Sequence, residues 1–362
     1  MTLKRTSLYG NHVSLQARLV PFAGWEMPIQ YSSILKEAKA VRSQAGIFDV
    51  SHMGRVRVIG PDAARFLDTM VTADIRGMPA GRARYTFICN ERGGIIDDTI
   101  VYRLAEERFL VIPNASNTSD VLAWFDRWVG SYGNGVTLEV ITDNTSLIAL
   151  QGPLAVAILQ GVCQFDVLMI KPFNCKEETV YGVSSLICRT GYTGEDGFEI
   201  IIPAEHAGML WSKFVADGAI PCGLGARDVL RLEAGLLLHG SDMDITKTPL
   251  EAGLNRFVNW NKDYFIGCEP LRELKETGFD TVLAGFHLLD KGIPRHEYPI
   301  WAKGEAIGEV TSGTYSPTLD MGIGLGYVSR EFADVGTKIA IEIRGNMIDA
   351  QLVNIPFYRR EK

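Results

Sequence analysis

The run Asn90-Glu91-Arg92-Gly93-Gly94-Ile95-Ile96-Asp97-Asp98-Thr99-Ile100-Val101-Tyr102 reads as a polar glycine turn feeding a β-branched strand. Side chains alternate along a strand, so Asp98, Ile100 and Tyr102 share one face while Asp97, Thr99 and Val101 share the other. Working outward, strand-like runs cover Arg84 to Cys89, Asp98 to Leu104, Phe109 to Ile112 and Ser146 to Leu150. A helical rhythm of polar and apolar residues occupies Ser33 to Ser43 and, after a turn at Gly60, Pro61 to Met70. Strands and helices interleave without a regular βαβ repeat, which favours an α+β fold over a doubly wound sheet.

From about Thr281 the texture changes. Short alternating runs at Ala306 to Val310, Gly324 to Val328, Thr337 to Ile343 and Ile348 to Val353 are punctuated by glycines, the pattern of a small β-barrel or sandwich. A chain of 362 residues exceeds what one core accommodates. The expected division is therefore into residues 1–280 and residues 281–362.

Net charge of -7 argues against a nucleic-acid surface, which would be basic. No run reaches the 18 apolar residues of a membrane span. Lys4 and Arg5 are followed by no apolar run, so a signal peptide is not expected. The six cysteines form no CxxC pair and read as reduced core thiols. The six histidines show no HxH or HExxH spacing, so no metal is expected. The expected setting is the cytoplasm or an organelle matrix.

Three segments carry chemistry. The first is the opening run, where a carboxylate on an apolar and aromatic face beyond a glycine turn suits a flat polar heterocycle; the competing reading has both aspartates capping the turn's own backbone donors. The second is Arg189-Thr190-Gly191-Tyr192-Thr193-Gly194-Glu195-Asp196-Gly197-Phe198-Glu199, leading into Ile200, Ile201 and Ile202. Glu199 stands among bulky apolar residues, where an ionised carboxylate needs a partner unless it points outward from an edge strand. The third is Gly223-Leu224-Gly225-Ala226-Arg227-Asp228, a glycine turn opening a helix with an expected apolar stripe of Leu230, Ala234 and Leu237. Arg227 opposes the helix dipole in that first turn, which points either to an acceptor waiting near it or equally to a surface arginine paired with an acid. No GxSxG elbow or P-loop is present, and Gly322-Ile323-Gly324-Leu325-Gly326 reads as barrel packing rather than a dinucleotide loop.

Taken in order, these segments resemble the glycine cleavage T-protein (aminomethyltransferase) family. Further motifs carry the resemblance almost end to end: Pro21-Phe22-Ala23-Gly24-Trp25-Glu26-Met27-Pro28, Phe48-Asp49-Val50-Ser51-His52-Met53-Gly54, Pro249-Leu250-Glu251-Ala252-Gly253-Leu254, Gly308-Glu309-Val310-Thr311-Ser312-Gly313 and Pro356-Phe357-Tyr358. The resemblance implies a three-domain cloverleaf around a central folate channel, with residues 1–280 made of two α+β subdomains, roughly 49–141 inserted within the rest, and the barrel as third domain. It implies tetrahydrofolate as cosubstrate, no metal, the lipoylated H-protein as partner, and a monomer or weak oligomer. It makes Asp98 the catalytic carboxylate and Glu199 and Arg227 the pair that reads the pterin ring. Met53, Tyr85, Ile100, Asn114 and Tyr192 match lining positions, and Arg295 and Tyr358 match positions near the folate tail.

One departure is visible. Where many relatives have Gly-Leu-Gly-Trp, this chain has Gly253-Leu254-Asn255-Arg256-Phe257-Val258-Asn259-Trp260. Arg256 in a channel wall would hint at a free acidic donor, the alternative being a tetrahydrofolate-dependent demethylase of a small N-, O- or S-methyl compound. The bland reading has Arg256 in solvent. A repair-type folate-binding protein is disfavoured, because Lys262 to Glu269 does not place Cys268 at the matching position of that motif.

Overall fold

The computed structural model describes residues 2–360. Near the N-terminus, strands Arg18–Phe22 and Trp25–Gln30 form a hairpin. Its two central residues, Ala23 and Gly24, both have positive φ (48° and 80°), as the tight turn that matches strand twist requires. Helix Ile34–Ser43 follows, its first turn capped by Ser33, whose extended backbone lets its hydroxyl accept from Lys36 N.

The chain divides into two units, one comprising residues up to Ile88 together with Asp97–Arg227, the other Cys89–Ile96 together with the chain from Asp228 onward. Besides the hairpin, the first unit holds two larger sheets. One has six strands in the order Cys175–Val180, Val183–Cys188, Gly197–Pro203, Thr145–Gln151, Gly46–Asp49 and Ile220–Pro221. Phe198, Ile200 and Ile202 alternate onto the face covered by helix Ala207–Ala216, where they meet Leu210, Trp211 and Phe214 in one core. Glu199 consequently faces away from that core. Its strand lies inside the sheet rather than at an edge.

The other sheet is antiparallel, with the order Ala83–Cys89, Ile95–Ala105, Arg108–Ile112, Val56–Ile59 and Thr137–Val140. Along Ile95–Ala105, Asp97, Thr99 and Val101 are buried, whereas Asp98 and Ile100 on the opposite face are half-buried. The turn before this strand is satisfied by Asn90, whose Oδ1 accepts from Arg92 N and Gly94 N, both at 2.9 Å. The two aspartates are thus released from the turn and bond elsewhere.

In the second unit, six strands close a barrel: Thr281–Leu288, Met321–Ser329, Glu305–Ser316, Pro299–Ala302, Lys338–Ile343 and Asn346–Val353. Phe286, Ile300, Val310, Val328, Ile341 and Leu352 fill it. Gly324 has no room for a side chain, since a Cβ there would stand 2.4 Å from Phe286 Cζ. The glycine run Gly322 to Gly326 therefore lies in barrel strand Met321–Ser329, with no dinucleotide loop. The fold is α+β with a C-terminal six-stranded barrel.

Helix Leu224–Glu233 corrects one expectation. Ala234 and Leu237 do not extend its apolar stripe, because the helix ends at Glu233 and Gly235 turns left-handed at φ 65°. Leu236 N bonds to Arg231 O and Gly235 N to Leu232 O, which closes the helix end.

Candidate functional site

Asp98 projects from the half-buried face of Ile95–Ala105. Its Oδ2 accepts from the hydroxyl of Tyr85, on the neighbouring strand, at 2.8 Å. Its Oδ1 accepts from Asn114 Nδ2, also at 2.8 Å. Burial, and then the charge and hydrogen bond of Asp98, hold the Tyr85 phenol well above its usual range, so it remains a donor. Asn114 follows strand Arg108–Ile112 and precedes helix Thr118–Val129, which places its amide between strands and helix. That amide lies 2.8 Å from Asp97 Oδ1 as well.

Asp97, on the buried face, also accepts from Asn117 Nδ2 at 2.8 Å and from Asn114 N at 3.0 Å. Burial and the neighbouring charge of Asp98 push its carboxyl up, against the pull of these donors.

The Arg189 to Glu199 segment is fixed by its own side chains. Arg189 pairs with Asp196 through two parallel hydrogen bonds. Arg42, from the first long helix, donates to Thr193 O at 2.7 Å and Glu195 Oε1 at 2.8 Å. Gln151 accepts from Thr193 Oγ1 and donates to Thr190 O. So held, the loop presents Glu199 with its Oε2 accepting from Thr190 Oγ1 at 2.5 Å and from Tyr102 Oη at 3.5 Å. Tyr102 shares a strand face with Asp98 and Ile100. Four residues at about 3.4 Å each separate the Asp98 and Tyr102 backbones by roughly 13 Å.

Arg227 sits in the first turn of helix Leu224–Glu233, its guanidinium 4.7 Å from the ring centre of Tyr192. Burial lowers its pKa, while Glu199 and Tyr192 pull the other way. Among the described residues its guanidinium has no hydrogen-bond acceptor, and Glu199 Oε1 has no donor. An acceptor edge and a donor fork that attract one another, yet are not bonded to each other, suit a ligand offering both donors and acceptors. The residues therefore fit a pterin.

The structure thus brings Asp98, Tyr85 and Asn114 together by hydrogen bonds, and Arg227 and Tyr192 by stacking. Ile100 lies between Asp98 and Tyr102 on their shared face. Met53 is half-buried, and its carbonyl accepts from Arg55, a wholly buried guanidinium that also bonds the carbonyls of Ser51, Thr142 and Thr145. Arg295 and Tyr358 belong to the second unit: Arg295 is exposed between the first two barrel strands in sequence, and Tyr358 N donates to Glu233 O at 2.7 Å. Arg256 is exposed and lies over its neighbour Phe257, 4.7 Å from the ring centre. No cluster of His, Cys, Asp and Glu able to hold a metal occurs among the described residues.

Two family models match this chain. Residues 8–262 match the GCVT N-terminal domain, and residues 282–359 match the glycine cleavage T-protein C-terminal barrel domain. The chain belongs to the glycine cleavage T-protein family. Its T-protein relatives include the aminomethyltransferase of Thermosynechococcus vestitus, 47% identical over 99% of this chain and 97% of that protein. That of Desulforamulus reducens is 45% identical over 99% of both chains. The crystal structure of glycine cleavage system aminomethyltransferase T from Bartonella henselae superposes with a TM-score of 0.93 at 35% identity, covering 99% of this chain and 100% of that one.

Sequence reasoning missed Asp97, Asn117, Thr190 and Tyr102 as parts of this T-protein's hydrogen-bond system. The signal was present for one of them. A carboxylate alternating onto the same buried face as Thr99 and Val101 must find donors, and Asn114 and Asn117 are the nearby amides able to supply them.

Proposed function

We propose that this enzyme is the aminomethyltransferase of the glycine cleavage system, passing the one-carbon unit of aminomethyl-dihydrolipoyl H-protein to tetrahydrofolate. The products are 5,10-methylenetetrahydrofolate, ammonia and the dihydrolipoyl carrier. The observation that carries the reading is the adjacency of two incompletely bonded groups, Glu199 Oε1 and the Arg227 guanidinium, beside the stacked Tyr192 ring.

In this reading Glu199 accepts the 2-amino and N3–H donors of the pterin, and Arg227 donates to ring oxygen or nitrogen. Tyr102 and Thr190 hold the Glu199 carboxylate in place through Oε2, leaving Oε1 for the ring. Tetrahydrofolate supplies the nucleophilic nitrogens when bound. Asp98, held by Tyr85 and Asn114, stabilises the positive charge that develops at the transferred carbon and folate nitrogens. Because the hydrogen bonds from Tyr85 and Asn114 are made before substrate arrives, little reorganisation accompanies the transfer. Met53 and Ile100 supply apolar wall. The lipoylated H-protein is the partner, no metal takes part, and the setting is the cytoplasm.

Asp98→Asn tests the assignment. It is expected to lower single-turnover transfer by at least a hundredfold while tetrahydrofolate affinity, by calorimetry, changes less than threefold. Near-normal turnover with intact folate binding contradicts the role given to Asp98.

A further inference from the structure

We propose that Asp97 is a positioning residue for the transfer reaction, acting on Asp98 through the side-chain amide of Asn114. The inference rests on the reading of Asp98 as the reacting carboxylate. Asp97 is fully buried on the opposite face of the strand, so it does not present itself where Asp98 does. Its reach is indirect and well defined. Asn114 Nδ2 lies 2.8 Å from Asp97 Oδ1 and 2.8 Å from Asp98 Oδ1, and it is 2.9 Å from the Asp98 carbonyl. One NH2 group therefore bridges two consecutive carboxylates.

Without Asp97, Asn114 keeps only its contacts to Asp98 and is freer to leave the bridge. With Asp97 present, both amide hydrogens are drawn to the carboxylates. The backbone N–H of Asn114, donating to Asp97 Oδ2 at 3.0 Å, fixes the same residue from a second point. Asn117 Nδ2 holds Asp97 Oδ1 from the start of the adjoining helix at 2.8 Å. Five heavy-atom contacts thus determine which way the amide faces before any ligand enters.

The charge arrangement points the same way. Among the described residues no lysine or arginine pairs with Asp97, and its only donors are amides of Asn114 and Asn117. A buried carboxylate beside a second carboxylate, compensated by neutral donors alone, is costly for stability and is a common arrangement at functional sites. In its ionised form it deepens the negative potential at Asp98, where the reaction develops positive charge.

The test compares wild type with Asp97→Asn in single-turnover transfer from aminomethyl-loaded H-protein to tetrahydrofolate. Folate affinity is measured by calorimetry and stability by urea denaturation. The expected result is a rate at least tenfold lower, folate affinity within threefold of wild type, and a urea midpoint unchanged or raised. A purely structural role would lower the midpoint and leave the rate of the folded fraction alone, which would overturn the proposal. So would a loss of folate affinity as large as the loss of rate. If Asp97→Asn does not fold, Asn117→Leu loosens Asp97 while leaving Asn114 and Asp98 in the chain; it is expected to show the same split between rate and affinity at about threefold, and an unchanged rate would overturn the proposal. Absence of transfer by wild type would overturn the underlying reading as well, whereas normal transfer by wild type and variant alike overturns the Asp97 proposal alone.

Discussion

Tyr85 Oη donates to Asp98 Oδ2 across two neighbouring strands at 2.8 Å, so a phenol held well above its usual pKa is committed to the carboxylate assigned the chemistry. A neutral donor to a charged acceptor contributes about 1.5–3 kcal/mol. Tyr85→Phe keeps the ring and its edge-on contact with Phe87 but removes this bond. The expected outcome is a fall of roughly tenfold or more in single-turnover rate, about 1.4 kcal/mol per tenfold, with folate affinity little changed. Stopped-flow transfer and calorimetry read the two quantities separately.

Glu199 and Arg227 are expected to fail in the opposite way, through binding. Glu199→Gln replaces an acceptor-only group with one that also carries donors, and Arg227→Lys loses the planar fork that stacks on Tyr192. Each should weaken tetrahydrofolate binding by about ten- to a hundredfold, while saturating folate restores most of the rate. Equal losses of rate and affinity in Tyr85→Phe and Arg227→Lys would erase the distinction between reacting and recognising groups.

His52 gives a pH signature. Burial, helped by the charges of Arg227 and Arg55 and opposed by Asp49, lowers its pKa from 6.5 to about 4. Between those values the unfolded chain binds a proton that the folded chain refuses, so stability falls as pH falls from 6.5 toward 4. The slope is about 1.4 kcal/mol for each pH unit, or about 3 kcal/mol over the window. Asp97, whose pKa is raised, runs with the opposite sign above pH 3.8, so the comparison must be between wild type and His52→Asn. Urea midpoints should converge on lowering the pH from 6.5 to 4 if the variant starts less stable, the wild type losing more.

Arg55 is a stability anchor that the sequence hides among charged residues. Its guanidinium makes five hydrogen bonds, to the carbonyls of Ser51, Met53, Thr142 and Thr145 and to Thr145 Oγ1, and the residue is 0% exposed. Arg55→Met orphans those acceptors and should cost about 3 kcal/mol or more. Thermal unfolding checks it, and loss of the Met53 clamp should also weaken folate binding.

How much was legible depended on whether the signal was local. The turn at Asn90 to Gly94, the alternation of Asp97 and Asp98 across the strand, and the Ser33-capped helix are written in neighbouring residues, and period and glycine placement suffice for them. The barrel was legible for the same reason, in short alternating runs broken by glycines such as Gly324. The site was not. Tyr85 and Met53 are reached through the family resemblance alone, because Tyr85 meets Asp98 across 13 positions of sequence. Glu199 could equally have been an outward edge-strand residue, and only sheet order decides that. The helix bearing Arg227 ends before Ala234 and Leu237 of its expected stripe, because a left-handed Gly235 looks in sequence like any tolerated helical glycine. The competing reading of the aspartates as caps of their own turn fails because Asn90 performs that task.

The most direct measurement is a single turnover with tetrahydrofolate, supplied either with aminomethyl-loaded H-protein or with H-protein lacking lipoate. The account predicts ammonia and 5,10-methylenetetrahydrofolate in equal amounts from the loaded carrier and neither from the carrier without lipoate. Bound folate with no product from the loaded carrier would contradict it and direct attention to a small methylated donor.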